Sequence, residues 1–221
     1  MPRSEDLRNP PKAILFDIGR VIVRVDPDRA IAPLTAALSS SSATGRQARV
    51  TPGELWAALE ADPCWAPWQE GRLTASQWHE YVGQRLGISL NFQDFCDAWN
   101  RVLDPETILC TEMFVKLGTR CRLGLLSNID PIHAEYIENH FAFVREFPVR
   151  IYSCNIASRK PLPAIYHAAL RALGTVASDT LYVDDIQEFA ESARRLGLDA
   201  IRFENPQQLQ QELALRGLAP E

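Results

Sequence analysis

The sequence predicts an α/β protein with a Rossmann-like, doubly wound parallel sheet core and an inserted all-helical cap. Three observations predict this fold: short apolar runs recur along the chain, helical patterns alternate with them, and a long stretch of helical character separates the first run from the second. Continuous apolar runs are typical of strands that are covered on both faces, as in a parallel sheet. The length of 221 residues suits one large domain, or a core with a modest insertion.

Four apolar runs are the predicted core strands. They span residues 13–16, 123–126, 180–183 and 200–203. The first run is followed by Asp17 and then by Gly19, which permits a sharp turn before an extended segment at 21–23.

Helical patterns accompany these strands and fill the insertion. In the core they are predicted at about 131–140, 161–173 and 187–196, with Gly174 and Gly197 at the ends of the last two. In the insertion they are predicted at about 29–38, 52–60, 74–87 and 91–101, with a flexible tract at 39–45. We therefore divide the chain into a core, residues 1–27 and 105–221, and a helical cap, residues 28–104.

The composition argues against several classes of partner. The formal charge is −5 and the sequence pI is about 5.5, so phosphate backbones would be repelled and nucleic acid is not an expected partner. No stretch approaches the ~20 apolar residues that span a bilayer, and the polar N-terminal residues lack the apolar centre of a secretion signal. The five cysteines are scattered without a CxxC pair, which favours free thiols in a reducing cytoplasm. No pattern predicts an oligomeric state.

Polar residues follow three of the predicted strands, at the edge where parallel α/β sheets bind ligands. They are Asp17, the pair Ser127 and Asn128, and the pair Asp184 and Asp185, with Lys160 between the second and third groups along the chain. Each group alone has an ordinary structural explanation, as a helix cap, a turn, a helix-dipole partner or a solvated loop charge. Together they predict a site in which the ammonium of Lys160 lies near Asp17 and Asp185, neutralises their repulsion and binds a phosphate oxygen.

The order of these residues resembles the four motifs of the haloacid dehalogenase-like (HAD) hydrolases: Asp after the first strand, Ser or Thr after the second, Lys before a helix, and paired acids after a later strand. The resemblance covers about residues 13–203, and the insertion resembles the cap of that superfamily's first subclass. Four segments look most like the bacterial α-D-glucose-1-phosphate phosphatase group. They are FDIGRVIV at 16–23, LSN at 126–128, SRKP at 158–161 and the Glu70-Gly71 turn.

The resemblance implies a phosphatase that acts on a small phosphorylated metabolite, such as a sugar phosphate. Asp17 would attack phosphorus and form an aspartyl-phosphate, which water then hydrolyses. Ser127 and the backbone amide of Asn128 would bind a phosphoryl oxygen, and Lys160 would bind another. The cap would exclude water and select the leaving group.

The resemblance also implies a Mg²⁺ ion, a hard cation that prefers oxygen ligands. Its ligands would be Asp17, the backbone carbonyl of Gly19 and Asp185, with Asp184 nearby. The ion would reduce the repulsion between the nucleophile and the phosphate.

Several positions depart from the family pattern. Most phosphatases of the superfamily carry an acid two residues after the nucleophile, where this chain, like the glucose-1-phosphate phosphatase group, has Gly19. A sugar 1-phosphate would tolerate this loss best, because its leaving group is more acidic than an ordinary alcohol. Ile186 and Phe189 replace the small polar residue and the Asn or Asp that usually follow the paired acids. Arg20 is unusually bulky and is expected to face solvent.

Two other functions are compatible with these departures. Gly19, Ile186 and Phe189 are what a catalytically impaired HAD-fold binding protein would show. A metal-independent 2-haloacid dehalogenase, in which Asp17 attacks carbon, also lacks the second acid, but the paired acids would then be an unexplained repulsive pair.

Ring-bearing residues of the insertion are candidates for the wall of a substrate pocket. They are Trp65, Trp68, Trp78, His79 and Trp99. Their spacing on predicted helices is more typical of core residues, which is the interpretation we favour.

Overall fold

Parallel strands form the central sheet of the protein. A computed structural model describes residues 10–30, 32–34 and 51–218. The strands in this part of the chain are β1 (Ala13–Phe16), β2 (Val23–Val25), β3 (Leu103–Thr107), β4 (Arg122–Ser127), β5 (Val149–Tyr152), β6 (Thr180–Asp184) and β7 (Asp199–Arg202). The central sheet has the order β5-β4-β1-β6-β7, and each neighbouring pair in it is parallel. The predicted doubly wound α/β core is confirmed.

Strand β1 occupies the middle of the sheet, and its four apolar residues are all buried. In register, Phe16 lies beside Leu125 of β4 and Val183 of β6. The chain adds β4 and β5 on one side of β1 and then β6 and β7 on the other, so the strand order reverses beside β1. Ligands bind at such a switch point, outside the carboxyl ends of the strands.

Helices cover the sheet and make up the insertion. The α-helices are α1 (Pro52–Glu60), α2 (Trp65–Gln69), α3 (Ala75–Leu86), α4 (Phe92–Asn100), α5 (Thr111–Gly118), α6 (Pro131–His140), α7 (Ser153–Ile156), α8 (Pro163–Leu173), α9 (Gln187–Arg195) and α10 (Pro206–Leu215), and residues 27–30 and 32–34 are also helical. Two 3₁₀ helices span Ala142–Glu146 and Ala177–Asp179. No helix in the described ranges has the length and apolar character needed to cross a bilayer.

Helices α1, α3 and α4 of the insertion begin and end at the residues that the sequence predicts, whereas the short helix α2 was not predicted. Thr74 forms a capping box with Gln77 at the start of α3, and Gly87 ends that helix in a left-handed conformation. Asn91 caps α4 by accepting from the amide of Asp94. The predicted helix at 29–38 is observed at 29–30 and 32–34; its remainder and the tract at 39–45 lie outside the described residues.

The sequence prediction missed a two-stranded ribbon at the base of the insertion. The extended segment predicted at 21–23 is a turn up to residue 22, and β2 begins at Val23. This strand pairs antiparallel with β3, which contains Pro105. The sequence of β3 contains a proline and shows no alternation of apolar and polar residues, so it does not predict a strand. Of the predicted cap limits, residue 28 lies just after β2, and residue 104 lies within β3.

Gly71 lets the insertion approach the core closely. It lies in the Glu70-Gly71 turn after α2 and has a φ of +66°, and a Cβ atom there would overlap the carbonyl oxygen of Cys154 in α7. Nearby, the hydroxyl of Ser153 donates to the carbonyl of Gln69 at 2.6 Å. The end of α2 therefore packs on the turn that follows β5.

We expect the close approach at Gly71 to be measurable against a matched glycine. Gly87 has a similar φ of +68°, but a Cβ atom on Gly87 would meet no neighbouring atom within 4 Å. Gly87→Ala should lower the free energy of unfolding by about 1–2 kcal/mol through left-handed strain alone. Gly71→Ala should cost a further ~1–3 kcal/mol because of the overlap. Urea denaturation measures both, and equal losses would contradict the close packing.

Candidate functional site

Three strands deliver polar side chains to one edge of the sheet. Asp17 follows β1 directly, Ser127 ends β4, and Asp184 ends β6. The amide of Asp17 donates to the carbonyl of Val183 at 2.9 Å, so the pairing of β1 with β6 continues up to the site. Because neighbouring parallel strands end together, these side chains lie at the carboxyl edge, as predicted.

A cluster of carboxylates forms at this edge. Oxygen atoms of Asp17, Asp184 and Asp185 lie within 4.8 Å of one another. Asp17 is 6% exposed and Asp184 is fully buried, so water screens their repulsion poorly. Such a cluster is stable only if cations compensate it.

Lys160 provides the central positive charge of the cluster. Its Nζ lies 2.9 Å from Oδ1 of Asp17 and 2.7 Å from Oδ2 of Asp184, and the residue is 1% exposed. Burial acts to lower the pKa of Lys160, but the charges of both carboxylates and the hydrogen bonds to them raise it, so the ammonium form persists. Burial raises the pKa of Asp17 to about 6, against the opposing effect of Lys160.

Both carboxylate oxygens of Asp184 accept hydrogen bonds from the protein. Oδ2 accepts hydrogen bonds from Lys160 and from the hydroxyl of Tyr182, and Oδ1 accepts from the amide of Ile186 at 2.8 Å. The sequence prediction did not include Tyr182, because a tyrosine inside a buried strand is an ordinary core residue. Asp184 is therefore arranged to hold Lys160 in place.

Asp185 has a different environment from its neighbour. Its Oδ2 lies 2.9 Å from Nε of Arg20, whereas its Oδ1 is buried without a hydrogen-bond partner among the described residues. Arg20 faces solvent as expected, with a side chain that is 59% exposed, but it also pairs with Asp185, which was not predicted. Its backbone φ is 59°. Burial raises the pKa of Asp185, and the charge of Arg20 opposes this rise. A buried carboxylate oxygen without a partner is costly, and a hard cation would satisfy it.

Asn128 links the end of β4 to the lysine. Its side chain accepts from the amide of Lys160 at 2.7 Å and donates to the carbonyl of the same residue at 3.0 Å. These two bonds fix the backbone of the lysine loop. Ser127, immediately before, is 3% exposed and lines the same cavity.

The two residues that depart from the family pattern after the paired acids are part of this arrangement. The ring centroid of Phe189 lies 5.0 Å from Nζ of Lys160, and that of Tyr182 lies 5.8 Å from it. Both rings shield the ammonium from water and interact favourably with its charge. Ile186 contributes through its backbone amide, which binds Asp184, so its side chain need not be polar for that contact.

A cavity of about 430 Å³ opens over the carboxyl edge. Its floor includes Asp17, Gly19 and Lys160, and its wall includes Trp56 and Trp65 from the insertion. The other ring-bearing candidates of the insertion are core or structural residues. Trp68, Trp78 and Trp99 are fully buried, and His79 bonds to the carbonyl of Leu90.

Two polar pairs in the cavity wall were not predicted. The indole N–H of Trp56 donates to Glu60 at 2.9 Å. A guanidinium N–H of Arg159 donates to the side-chain oxygen of Gln69 at 3.2 Å. All four residues line the cavity, and only their position after folding distinguishes them from ordinary surface residues.

Comparisons with known proteins identify the family and agree with the fold. The family model for haloacid dehalogenase-like hydrolases matches residues 11–197. A D-ribitol-5-phosphate phosphatase from Bacteroides thetaiotaomicron is 24% identical over 210 residues, which are 92% of this chain and 97% of that protein. A crystal structure of a HAD family enzyme from the same organism is 20% identical, with a TM-score of 0.76 over 93% of this chain and 99% of that chain. The wild-type form of that enzyme in complex with magnesium and inorganic phosphate has a TM-score of 0.73 at 21% identity, over 90% of this chain and 98% of that chain.

We expect the stability of the protein to depend on Lys160. Lys160→Met leaves Asp17 and Asp184 buried without compensation, and should lower the free energy of unfolding by about 3–5 kcal/mol. Lys12→Met is the control, because Lys12 is 74% exposed and pairs with Asp179 at the surface. That change should cost less than about 1 kcal/mol.

Urea denaturation of the two variants measures this difference. The double variant Asp17→Asn/Lys160→Met should recover part of the loss, because one buried charge is removed together with its partner. A Lys160→Met variant as stable as the Lys12→Met control would contradict the electrostatic role of Lys160.

Proposed function

The chain belongs to the haloacid dehalogenase-like hydrolases, and we propose that it is a Mg²⁺-dependent phosphatase of a small phosphorylated metabolite. The observation that carries this proposal is the position of Lys160 between Asp17 and Asp184, together with the buried oxygen of Asp185 that has no hydrogen-bond partner in the described part of the chain. The D-ribitol-5-phosphate phosphatase that this chain resembles supports the reaction class. The magnesium and phosphate complex of an enzyme with this fold supports the choice of cation.

The donor atoms at the carboxyl edge fit a magnesium ion. Asp17 and Asp185 offer carboxylate oxygens within 4.8 Å of one another, and Oδ1 of Asp185 has no described protein partner. We propose these two residues and the backbone carbonyl of Gly19 as ligands, with Asp184 beside them as the residue that holds Lys160. A bound Mg²⁺ supplies charge neutralisation between the carboxylates and the incoming phosphate.

Asp17 is the proposed nucleophile. One of its oxygens forms a bond to phosphorus while the bond from phosphorus to the ester oxygen breaks, which gives an aspartyl-phosphate and the alkoxide of the leaving group. Because position 19 carries no acid, this alkoxide takes its proton from water. Water then attacks this acyl phosphate and releases inorganic phosphate, which restores the carboxylate. Lys160 orients Asp17 and neutralises phosphoryl charge, and the hydroxyl of Ser127 and the backbone amide of Asn128 bind phosphoryl oxygens.

The wall of the cavity supports a polyhydroxylated leaving group, such as a sugar or a polyol. Glu60 is an acceptor oriented by Trp56, and Arg159 carries donors and is oriented by Gln69. Trp65 adds an apolar surface to the same wall. Hydroxyl groups that alternate with C–H bonds match such a mixture of acceptors, donors and aromatic rings.

We expect release of inorganic phosphate from a panel of sugar, polyol and sugar 1-phosphates, and loss of that activity on chelation of Mg²⁺. Asp17→Asn should lower kcat by at least ~10³-fold, because an amide in place of the proposed nucleophile cannot form the acyl phosphate. Asp179→Asn is the matched control, since Asp179 precedes β6 at the opposite edge of the sheet and pairs with Lys12. It should leave kcat unchanged.

The alternatives give different results in the same experiments. Absence of phosphate release from the whole panel would favour the impaired binding protein. Halide release from 2-chloropropionate that persists in the presence of a chelator would favour the dehalogenase.

Restoring an acid at position 19 should broaden the range of leaving groups. A Cβ atom on Gly19 would meet only Cγ2 of Val25, at 3.4 Å, so a side chain can begin there without a clash. Gly19→Asp should raise the rate on alkyl phosphates relative to p-nitrophenyl phosphate by up to ~10²-fold, because only poor leaving groups need the proton. Gly19→Asn is the control without an ionisable group. An equal rate ratio in the two variants would argue against this role.

A further inference from the structure

Trp99, Asp130 and His133 join the insertion to the core beside the cavity. The indole N–H of Trp99 in α4 donates to Oδ2 of Asp130 at 3.3 Å, and Nδ1 of His133 in α6 lies 2.6 Å from the same oxygen. Nε2 of His133 lies 3.0 Å from the backbone carbonyl oxygen of Trp99. The two rings are stacked with centroids 5.7 Å apart. All three residues are buried.

The hydrogen-bond partners of His133 determine its charge state. One ring nitrogen faces a carboxylate oxygen and the other faces a carbonyl oxygen, and neither oxygen can donate. Only the doubly protonated imidazolium can donate to both. A neutral ring would leave one nitrogen lone pair directed at an oxygen lone pair, in a buried position where water cannot separate them.

The ionisable groups around Trp99, Asp130 and His133 also favour a positively charged His133 ring. The thiols of Cys96 on α4 and Cys154 on α7 lie near Asp130, and burial raises the pKa of both, that of Cys154 to about 12, so they are uncharged. Asp97 and Glu135 lie near Cys96 and add negative charge. Asp130 therefore remains the charge that directly faces His133.

Trp99 contacts both His133 and the cavity wall. Its ring centroid lies 5.3 Å from that of Trp56 and 6.2 Å from that of Trp65, and both of these residues line the cavity. On the core side, Asp130 also caps α6 by accepting from the amide of His133, three residues after Ser127 at the end of β4. Trp99, Asp130 and His133 thus connect the cavity wall formed by Trp56 and Trp65 to the end of β4 at the carboxyl edge of the sheet.

We propose that His133 is a positioning residue: its protonated ring fastens Trp99, and through it the wall formed by Trp56 and Trp65, onto the core. The catalytic consequence rests on the proposed phosphatase activity, whereas the protonated contact between insertion and core does not. His133 does not donate a proton to the substrate, because both of its N–H groups are already directed at protein oxygens.

The direction of the pH effect follows from the environment of the ring. Burial acts to lower the pKa of His133, but the charge of Asp130, the hydrogen bond to it and the carbonyl of Trp99 raise it above its usual value. The contact is therefore complete at pH values below the usual pKa of histidine and is lost as the pH rises through this raised pKa. The cavity wall then loosens, so KM should rise while kcat changes less.

The first test is nuclear magnetic resonance of the intact wild-type chain, which needs neither activity nor a variant. The nitrogen-15 shifts of the His133 ring should show two protonated nitrogens at pH ~6.5, where an unperturbed histidine is half neutral. The fluorescence of the tryptophans should change at the same pH at which the ring loses its proton. A neutral His133 at pH ~6.5 overturns the proposal.

The second test is steady-state hydrolysis of p-nitrophenyl phosphate with Mg²⁺ as a function of pH. His133→Gln should raise KM by ~10-fold at acidic pH, because one charge-assisted bond is lost, and should remove the rise of KM with pH. His140→Gln is the control, since His140 lies on the same helix but is exposed and bonds to the carbonyl of Tyr136. It should keep the wild-type profile.

The outcomes separate this proposal from the proposed function. A His133→Gln variant with the wild-type KM and pH profile overturns the positioning role. If that variant does not fold, Asp130→Asn replaces it, with the same rise in KM expected. A wild-type chain that releases no phosphate from any ester contradicts the phosphatase, while the resonance and fluorescence measurements still decide whether the protonated contact exists.

Discussion

The pairing of Lys160 with Asp17 and Asp184 is the interaction on which the carboxyl edge of the sheet depends. Adjacent parallel strands β1 and β6 bring the two carboxylates together, and at about 4 Å two like charges repel by about 4 kcal/mol even at an effective dielectric constant of 20. The lysine converts this repulsion into attraction. Its own position depends on the two hydrogen bonds from Asn128, so β4 is also tied to the charge balance. Three strands therefore meet at one ammonium group.

Much of this site could be predicted from the sequence because its residues occupy positions with strong local signals. A buried strand that ends in an acid is visible as an apolar run followed by Asp17, and the carboxyl ends of parallel strands must lie together. Contacts between distant segments have no such signal. Pairing of Arg20 with Asp185, and of Arg159 with Gln69, depends on the folded positions of loops, and the strand at Leu103–Thr107 is concealed by a proline. Periodicity identifies faces of elements, but it does not identify which side chains meet across them.

The departures from the family pattern at Gly19 and Arg20 change the net charge of the carboxylate cluster. Asp17, Asp184 and Asp185 contribute three negative charges, and Lys160 and Arg20 contribute two positive ones, which leaves one negative charge in total. An acid at position 19 and a neutral residue at position 20 would leave three. We infer that this site attracts a divalent cation less strongly and repels a phosphate dianion less strongly than the usual pattern would. The change to Gly19 therefore removes one negative charge together with the acid that protonates the leaving group in most phosphatases of the superfamily.

The floor of the cavity belongs to the core, and Trp56 and Trp65 of its wall belong to the insertion. Because of this separation, the position of the wall can change without a change in the floor. The floor is held by buried charge pairs within the sheet core, whereas several contacts hold the wall to the core. Gly71 packs against backbone and Gln69 bonds to Ser153, and neither contact involves a group that titrates near neutrality. The contact of Trp99 with His133 does involve such a group. A change of pH therefore acts on one end of the wall while the other end stays fixed. The shape of the cavity can then respond to protonation of His133 without disturbing the surroundings of Asp17.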